Sequence, residues 1–517
     1  MAGEQMNSHR YRKDAGAGVL AFMLIVAGCF FMLRDLGKES FWLDEIFSHK
    51  IITQNIPELL KTAGYGLVPN DHPPLYFLLA HAWVGIFGSG ETGLRSLSVL
   101  FGVSSLIMLY LLGRRVFGDT AALIALAIAS FSPFIIQYSQ EARPYSLFLF
   151  LTVTSAYFFI RLYQENATGL FSKLGLGFSC SLLLYTHAMA VFIVFGFIVC
   201  LFVARRMNRI FFKAGMKSVL ISLAAFIPWS YFYFYQLATR RKELNWITYY
   251  GIPWQDWRAA IGGSFMLYVG EQLLFWTTAA LAVLGIARLI LKKRAEPVSI
   301  AFILSLLIFP HAFPLLVSSC LQPMYITRIT IPAAPAFFLL AGHGFSGIFN
   351  RDGLKWASRG AAVIFIVAAA FVQINNLNAN YYPATKNEEW RTVAREIAFA
   401  QDKNDAILIS DIDTMDCFTY YYKGSLPVYG QDRNSVFDER KCASLLGAVP
   451  GRGRLWLILS HVRELDPEIN ELCRALRKSR FKTIFSKDYA GITVVLFEMP
   501  KEKGLSDHPG TLLFPLR

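Results

Sequence analysis

About eleven apolar runs, most of them long enough to cross a hydrocarbon core of roughly 30 Å, constrain this chain more than any other feature. They extend roughly over Ala17 to Leu33, Leu94 to Leu112, Thr120 to Ile136, Tyr145 to Ile160, Leu170 to Tyr185 and Ala188 to Ala204. The rest are Val219 to Leu237, Leu273 to Leu291, Val298 to Val317, Ile326 to Phe345 and Ala361 to Ile374. With 55% hydrophobic and 17% charged residues, against about 25% charged in soluble domains, a purely soluble protein is excluded. The 37 Gly and 7 Cys are neither periodic nor dense enough for a collagenous or disulfide scaffold. The expected class is mainly α, a polytopic bundle whose partner is the lipid bilayer.

The 50 Lys+Arg against 36 Asp+Glu give a net charge of +14. In a soluble protein that would point to nucleic acid. Here much of the excess sits in short turns between apolar runs, where basic residues set topology, so no nucleic-acid partner is expected. No small-residue cleavage site follows the first run, which reads as a retained helix rather than a signal peptide. With the N-terminus and its His9, Arg10, Arg12 and Lys13 in the cytoplasm, alternation puts four basic turns inside: Arg114/Arg115, Arg205 to Lys217, Lys292 to Arg294 and Arg351 to Arg359. Pro74 to Phe87 is too short to cross, and counting it would spoil that pattern; it reads as an interfacial helix.

Three polar regions then face outward together: Arg34 to Gly93, the turn Gln137 to Pro144, and the chain beyond about Asn375, joined by the loop Thr239 to Glu271. The expected domains are a membrane part, residues 1–375 with outer loop 34–93, and an outer α/β domain, residues 376–517. In the latter, Glu388 to Ala400 and Glu464 to Arg477 read as helices, and Ala406 to Ser410, Leu455 to Ser460, Phe481 to Ile484 and Ile492 to Phe497 as strands. Cys417, Cys442 and Cys473 share this domain, so one disulfide of undetermined pairing is open there.

The polar residues of the outer face carry the candidate chemistry. Phe41-Trp42-Leu43-Asp44-Glu45 presents adjacent carboxylates beside a bilayer surface. Successive residues cannot face the same way, so one suits the chemistry and the other orients it or binds a neighbour. His72-Pro73-Pro74 is a rigid turn; the prolines are explained by a helix start, His72 is not. In the turn before Tyr145, Glu141 and Arg143 form a charged pair; Arg143 suits an anion and Glu141 its orientation or a sugar hydroxyl. His187 ends the fifth run and Arg328 opens the tenth, at the depth of a lipid phosphate. The histidines are too scattered for a His-x-x-x-His metal site.

Taken in order, the Asp-Glu loop, His72-Pro73-Pro74-Leu75, Leu94-Arg95-Ser96-Leu97-Ser98, Leu112-Gly113-Arg114-Arg115-Val116-Phe117-Gly118, Ser132-Pro133 and Gln140-Glu141-Ala142-Arg143-Pro144-Tyr145 resemble the bacterial relatives of protein O-mannosyltransferases. These belong to the GT-C membrane glycosyltransferases, which include the enzyme adding aminoarabinose to lipid A. The match is strong over about Phe41 to Tyr145 and looser at Tyr185-Thr186-His187, Arg328 and Glu389-Trp390-Arg391. The resemblance implies a GT-C fold, a polyprenyl-phosphate-linked sugar donor and transfer on the extracytoplasmic face of the inner (plasma) membrane. By it, Asp44 is the general base on the acceptor hydroxyl, with Glu45 beside it; Glu141, read from its turn, completes the expected catalytic set. His72, Arg143, Tyr145, His187 and Arg328 make up the substrate-binding set. Arg328-Ile329 stands where these enzymes commonly have Arg-Tyr, and the C-terminal part shows no β-trefoil pattern.

A phosphate leaving group is already ionised at neutral pH, so a carboxylate and an arginine suffice without an obligatory metal; a divalent ion bridging Asp44 and Glu141 stays open. The acceptor is a glycolipid such as lipid A, an envelope polysaccharide or a protein. A secondary transporter is the competing expectation, but no repeat of the kind that class shows is visible. A receptor or scaffold built on the outer domain is the third.

Overall fold

In a computed structural model, residues 15–67, 72–239, 256–291, 297–320, 323–349, 355–410, 412–430, 454–460 and 481–498 are described. The N-terminal basic residues, Glu464 to Arg477, Cys442 and Cys473 lie outside them. The chain divides into two compact units: residues 1–36 with 48–383, and residues 37–47 with 384–517. A boundary at 375, expected from composition, would thus part the stretch 376–383 from the first unit and leave 37–47 out of the second.

The first unit is helical. Its helices are α1 (Ala15–Leu33), α2 (Leu43–Ile52, whose first turn belongs to the other unit), α3 (Ile56–Tyr65), α4 (Leu75–Phe87) and α5 (Glu91–Phe117). Next come α6 (Asp119–Ser130), α7 (Pro133–Ser139), α8 (Tyr145–Gln164), α9 (Leu170–Leu184), α10 (Ala190–Ala204) and α11 (Arg209–Thr239). They are followed by α12 (Trp257–Val269), α13 (Gln272–Leu291), α14 (Pro297–Cys320), a 3-10 turn (Thr327–Ala333), α15 (Ala334–Phe349) and α16 (Lys355–Asn376).

All eleven expected runs are helical, but among the described residues only eight helices are long and apolar enough to cross a membrane, or nine counting α6 and α7 as one span bent by 63°. The bend falls at Ser132-Pro133, because proline lacks the N–H that would continue the ladder and Ser132 instead caps α7 by accepting from the Ile135 N–H at 3.2 Å. Helices α9 and α10 have 15 residues each, short of the required length, so the count of eleven is corrected. Helix α4, with 13, is also too short to span, in line with its exclusion on length. The bundle buries α8 and the Thr327–Ile348 stretch most deeply, at 78% and 83% of their most apolar windows. Small residues allow close approach: a Cβ on Gly344 would strike the Leu281 carbonyl, and one on Gly285 the Leu340 carbonyl.

The second unit is built on a five-stranded mixed sheet of order β2-β1-β3-β5-β4. Its strands are β1 (Ala406–Ile409), β2 (Val428–Gly430), β3 (Arg454–Ser460), β4 (Lys482–Tyr489) and β5 (Ile492–Glu498). Strand β1 pairs parallel with β2 and β3, and β5 antiparallel with β3 and β4. Among the described residues, helices α17 (Trp390–Ala400) and α18 (Ile412–Tyr421) accompany it. Strand β1 is buried throughout and β3 nearly so, as their unbroken apolar runs require. Strand β4 runs five residues beyond the expected Ile484, because its polar residues are exposed and its pattern lacks apolar alternation.

Candidate active site

Two groups of side chains hold the residues singled out above, one in each unit. In the first unit the backbone brings two turns together: the Leu75 N–H, which opens α4 after His72-Pro73-Pro74, donates to the Tyr185 carbonyl at 3.0 Å. This sets His72 beside His187, ring centroids 4.6 Å apart. The third contributor is the turn between α7 and α8. It is fixed from both sides: Gln140 donates through Nε2 to the carbonyls of Phe31, Met32 and Arg34, and its Oε1 accepts from the Tyr381 hydroxyl at 3.0 Å. Gln137 Nε2 donates to Glu141 Oε1 at 3.1 Å.

Arg143, 1% exposed, is the hub of the group. Its Nη1 donates to Ser48 Oγ at 3.1 Å and its Nη2 to His72 Nε2 at 2.9 Å. A guanidinium can only donate, so His72 Nε2 is an acceptor and a neutral His72 carries its proton on Nδ1. The Met189 N–H donates to His187 Nδ1 at 3.1 Å, which by the same logic puts the His187 proton on Nε2. His187 is 3% exposed and stacks on Phe148 at 4.6 Å. Among the described residues its Nε2 has no hydrogen-bond partner.

Both rings are held neutral. Burial, then the Arg143 and Arg328 guanidiniums, push His187 down to about 3. Burial, Arg143, His187 and Arg328 hold His72 well below the ordinary histidine range. Two cations therefore act on the same small volume, where a neutral N–H donor is also present. Tyr145, 2% exposed, joins the cluster with its ring 5.9 Å from His72 and 5.8 Å from His187, and the Arg328 guanidinium lies 5.7 Å from its centroid. Such a set suits an anion with several acceptor oxygens.

The second group lies in the other unit. Asp44 and Glu45 sit in the first turn of α2, where carboxylates complement the helix dipole, and are 3% and 0% exposed. Glu45 Oε2 accepts from the Trp42 N–H at 3.4 Å, reaching back over the helix start. Adjacent residues on a helix diverge by about 100°, so Asp44 points elsewhere. The strand of chain before them is tied to the segment 386–391. Lys386 and Asn387 donate backbone N–H groups to Glu39, Asn387 Nδ2 donates to the Ser40 carbonyl, and the Arg391 N–H to Ser40 Oγ at 3.1 Å. The Tyr421 hydroxyl accepts from the Phe41 N–H at 2.7 Å.

Glu388 in this segment is pushed up to about 7, by burial first and then by the negative charges of Asp44 and Glu45. The hairpin β4–β5 turns against it at Gly491, with φ +69°, where an added Cβ would meet Glu388 Cγ at 2.7 Å. Among the described residues no three His, Cys, Asp or Glu side chains converge to hold a metal ion.

The first unit thus brings together His72, Glu141, Arg143, Tyr145, His187 and Arg328, and the second holds Asp44, Glu45 and Glu388. The sequence singled out neither Ser48 nor Glu388. Ser48 had a signal, standing one helical turn after Asp44 on α2; Glu388 is indistinguishable in sequence from a solvated surface acid.

Residues 71–232 match the family model described as dolichyl-phosphate-mannose-protein mannosyltransferase. An uncharacterised protein of Aquifex aeolicus is 26% identical over 213 residues, which cover 40% of this chain and 42% of that one. The chain therefore spans less than half of that curated relative. Among solved structures, ArnT from Cupriavidus metallidurans in the apo state matches with a TM-score of 0.58 at 12% identity, over 93% of this chain and 98% of that chain. The chain is thus similar to that mannosyltransferase family over residues 71–232 and has the GT-C fold over most of its length.

The same ArnT bound to undecaprenyl phosphate gives 0.55 at 14% identity, with the same coverage. AglB, the oligosaccharyltransferase of Archaeoglobus fulgidus, in complex with an inhibitory peptide and a dolichol-phosphate, gives 0.56 at 12%, over 94% of this chain and 74% of that chain. At such identities the structural likeness is one of GT-C fold. It agrees with the expected polytopic helical architecture and with an integral membrane protein.

Proposed function

We propose that this chain is an inverting glycosyltransferase that moves a sugar from a polyprenyl-phosphate donor to an acceptor hydroxyl on the extracytoplasmic face of the inner (plasma) membrane. The observation that carries the donor assignment is His187 Nε2: a buried N–H donor without a partner among the described residues, in the field of Arg143 and Arg328. A phosphate monoester or diester oxygen satisfies that donor and balances the two cations at once. That solved neighbours of the same fold bind undecaprenyl phosphate or dolichol-phosphate supports the choice.

In this reading Asp44 accepts the proton of the acceptor hydroxyl as its oxygen attacks the anomeric carbon. Attack opposite the phosphate inverts the configuration. The C–O bond to phosphate breaks, its electron pair leaves with the phosphate, and Arg143 and Arg328 stabilise the added charge together with the His187 N–H. Glu45 keeps the start of α2 in place, and Glu141 orients the turn that carries Arg143 or a sugar hydroxyl. No metal is required for these steps.

The acceptor is a hydroxyl of an envelope glycolipid, polysaccharide or protein. The test is transfer from labelled undecaprenyl-phosphate sugars by the purified chain, read beside mass spectrometry of envelope glycans from a deletion strain. Transfer from at least one lipid-phosphate sugar, with a matching missing sugar in the strain, supports the proposal. A chain that binds neither undecaprenyl phosphate nor its sugars would overturn it.

A further inference from the structure

A second buried polar cluster in the helical unit lies behind the turn that carries Arg328, and the mechanism above does not use it. It joins Ser264 and Tyr268 of α12, His311 of α14, and Tyr325, Thr327 and Thr330 of the segment leading into α15. Ser264, Tyr268, Tyr325 and Thr330 are at most 1% exposed and His311 is 3% exposed. Buried polar groups in a bundle of apolar helices are kept only where they bond one another, so their order can be worked out atom by atom.

Thr330 Oγ1 donates to the Thr327 carbonyl at 2.7 Å and so can accept from Tyr268, whose hydroxyl lies at 2.5 Å. The Tyr268 hydroxyl also lies 2.8 Å from the Thr330 carbonyl. With its proton on Thr330, its oxygen is free to accept from His311 Nε2, 3.3 Å away, in the tautomer that carries the proton there. A neutral histidine that donates through Nε2 accepts at Nδ1, and the Tyr325 hydroxyl stands 2.9 Å from it. Ser264 Oγ donates to the Ala260 carbonyl at 2.9 Å and lies 2.9 Å from the same Tyr325 hydroxyl. The result is one continuous chain of hydrogen bonds, Tyr325–His311–Tyr268–Thr330, that ends on the carbonyl of Thr327, with the Tyr325 hydroxyl also 3.3 Å from the Ala260 carbonyl.

The chain ends on the residue before Arg328, in a 3-10 turn interrupted by Pro332. Such a turn has poorer hydrogen-bond geometry than an α-helix and no ladder to hold its direction alone. We propose that His311 and Tyr268 are positioning residues that fix the Thr327–Ala333 turn, and through it the aim of the Arg328 guanidinium at the donor phosphate. The inference rests on the reading of Arg328 as a phosphate ligand. It adds that residues outside the site, on α12 and α14, determine how well that ligand works.

The experiment measures the dissociation constant of undecaprenyl phosphate for the full chain in lipid nanodiscs, with Tm recorded in parallel. Four variants are compared: Arg328→Gln, Tyr268→Phe, His311→Gln, and the double variant Arg328→Gln/Tyr268→Phe. Tyr268→Phe removes one hydroxyl and keeps the ring packed on Phe134 and Phe265. The expected result is a Kd raised about 10-fold or more by Arg328→Gln and about 3- to 10-fold by Tyr268→Phe. His311→Gln, which can still donate to Tyr268, falls between wild type and Tyr268→Phe. The double variant binds no worse than Arg328→Gln alone, because Tyr268 acts only through Arg328. If Arg328→Gln weakens binding while Tyr268→Phe leaves it unchanged, or if the two effects multiply independently, the positioning role is overturned and the phosphate reading stands. If Arg328→Gln leaves binding unchanged, the phosphate reading of Arg328 fails, and the inference with it. A fall in Tm with no change in Kd marks the network as purely structural and also overturns the proposal.

Discussion

Replacing Arg143 by Ala removes the hub of the proposed donor site, and its contacts say what should follow. Ser48 Oγ and His72 Nε2 each lose a donor held at 3.1 and 2.9 Å. Leaving a buried acceptor unmet costs about 1–3 kcal/mol each, so about 2–6 kcal/mol of stability is at stake. Part of it returns as the neighbouring histidines, no longer beside a guanidinium, become easier to protonate. The loss in donor binding is a separate quantity. One charge-assisted hydrogen bond to phosphate is worth about 1.5–3 kcal/mol, or about 10- to 150-fold in Kd.

Arg143→Lys separates the two effects. It keeps the cation and one donor direction but cannot reach Ser48 and His72 together. Donor KM and acceptor KM should be measured separately in nanodiscs, with undecaprenyl phosphate binding as a check free of turnover. The account expects donor KM to rise about 10-fold or more in Arg143→Ala, acceptor KM to change less than about 2-fold, and Arg143→Lys to fall between. Equal shifts in both KM values, or an unmoved donor KM in a folded variant, would refute the phosphate role.

Further outcomes follow from the same geometry. His187→Phe keeps the stack on Phe148 and deletes the Nε2 donor; it should weaken undecaprenyl phosphate binding about 5- to 20-fold with Tm nearly unchanged, and equal binding would remove the observation on which the donor assignment rests. The folded chain holds on Glu388 a proton that the unfolded chain gives up between pH 4.5 and about 7. Stability therefore falls as pH rises through that window, by about 3 kcal/mol in all. Glu388→Gln should accordingly raise Tm at pH 8 and leave it nearly unchanged at pH 4, as thermal unfolding at the two pH values will report. The histidines act in the opposite sense: His72 and His187 stay neutral when folded, so their contribution is lost as pH falls below 6.5 and the unfolded chain takes up protons. Chelation by EDTA is expected to leave transfer unchanged; a loss restored by a divalent ion would bring a metal back into the mechanism.

Much of this fold is legible in the sequence because a bilayer leaves few options for the backbone. Apolar runs must be helices, and all eleven are. Their number as spans was less legible, since length alone cannot separate a 15-residue helix such as α9 or α10 from a full crossing. The proline at 133 signals a helix start but not the 63° bend, which depends on how α6 and α7 pack. The anion cluster was readable as residue types at turns, and the contact between the His72 and His187 turns follows from one backbone bond, Leu75 to Tyr185. The grouping of 37–47 with the C-terminal residues was not readable, because it rests on side chains such as Glu39, Ser40 and Arg391 that look like ordinary surface polarity. The Tyr268–His311–Tyr325 chain was equally hidden. A histidine inside an apolar run carries no local mark of its partners.

The central claim is that Asp44 acts on the acceptor while a separate cationic cluster holds the donor phosphate, and Asp44→Asn tests it most directly. The substitution keeps size and helix position but removes the base. Transfer from a labelled undecaprenyl-phosphate sugar should fall at least about 100-fold while undecaprenyl phosphate binding stays within about 2-fold of wild type. Transfer that persists near the wild-type rate in a folded Asp44→Asn chain would contradict the account.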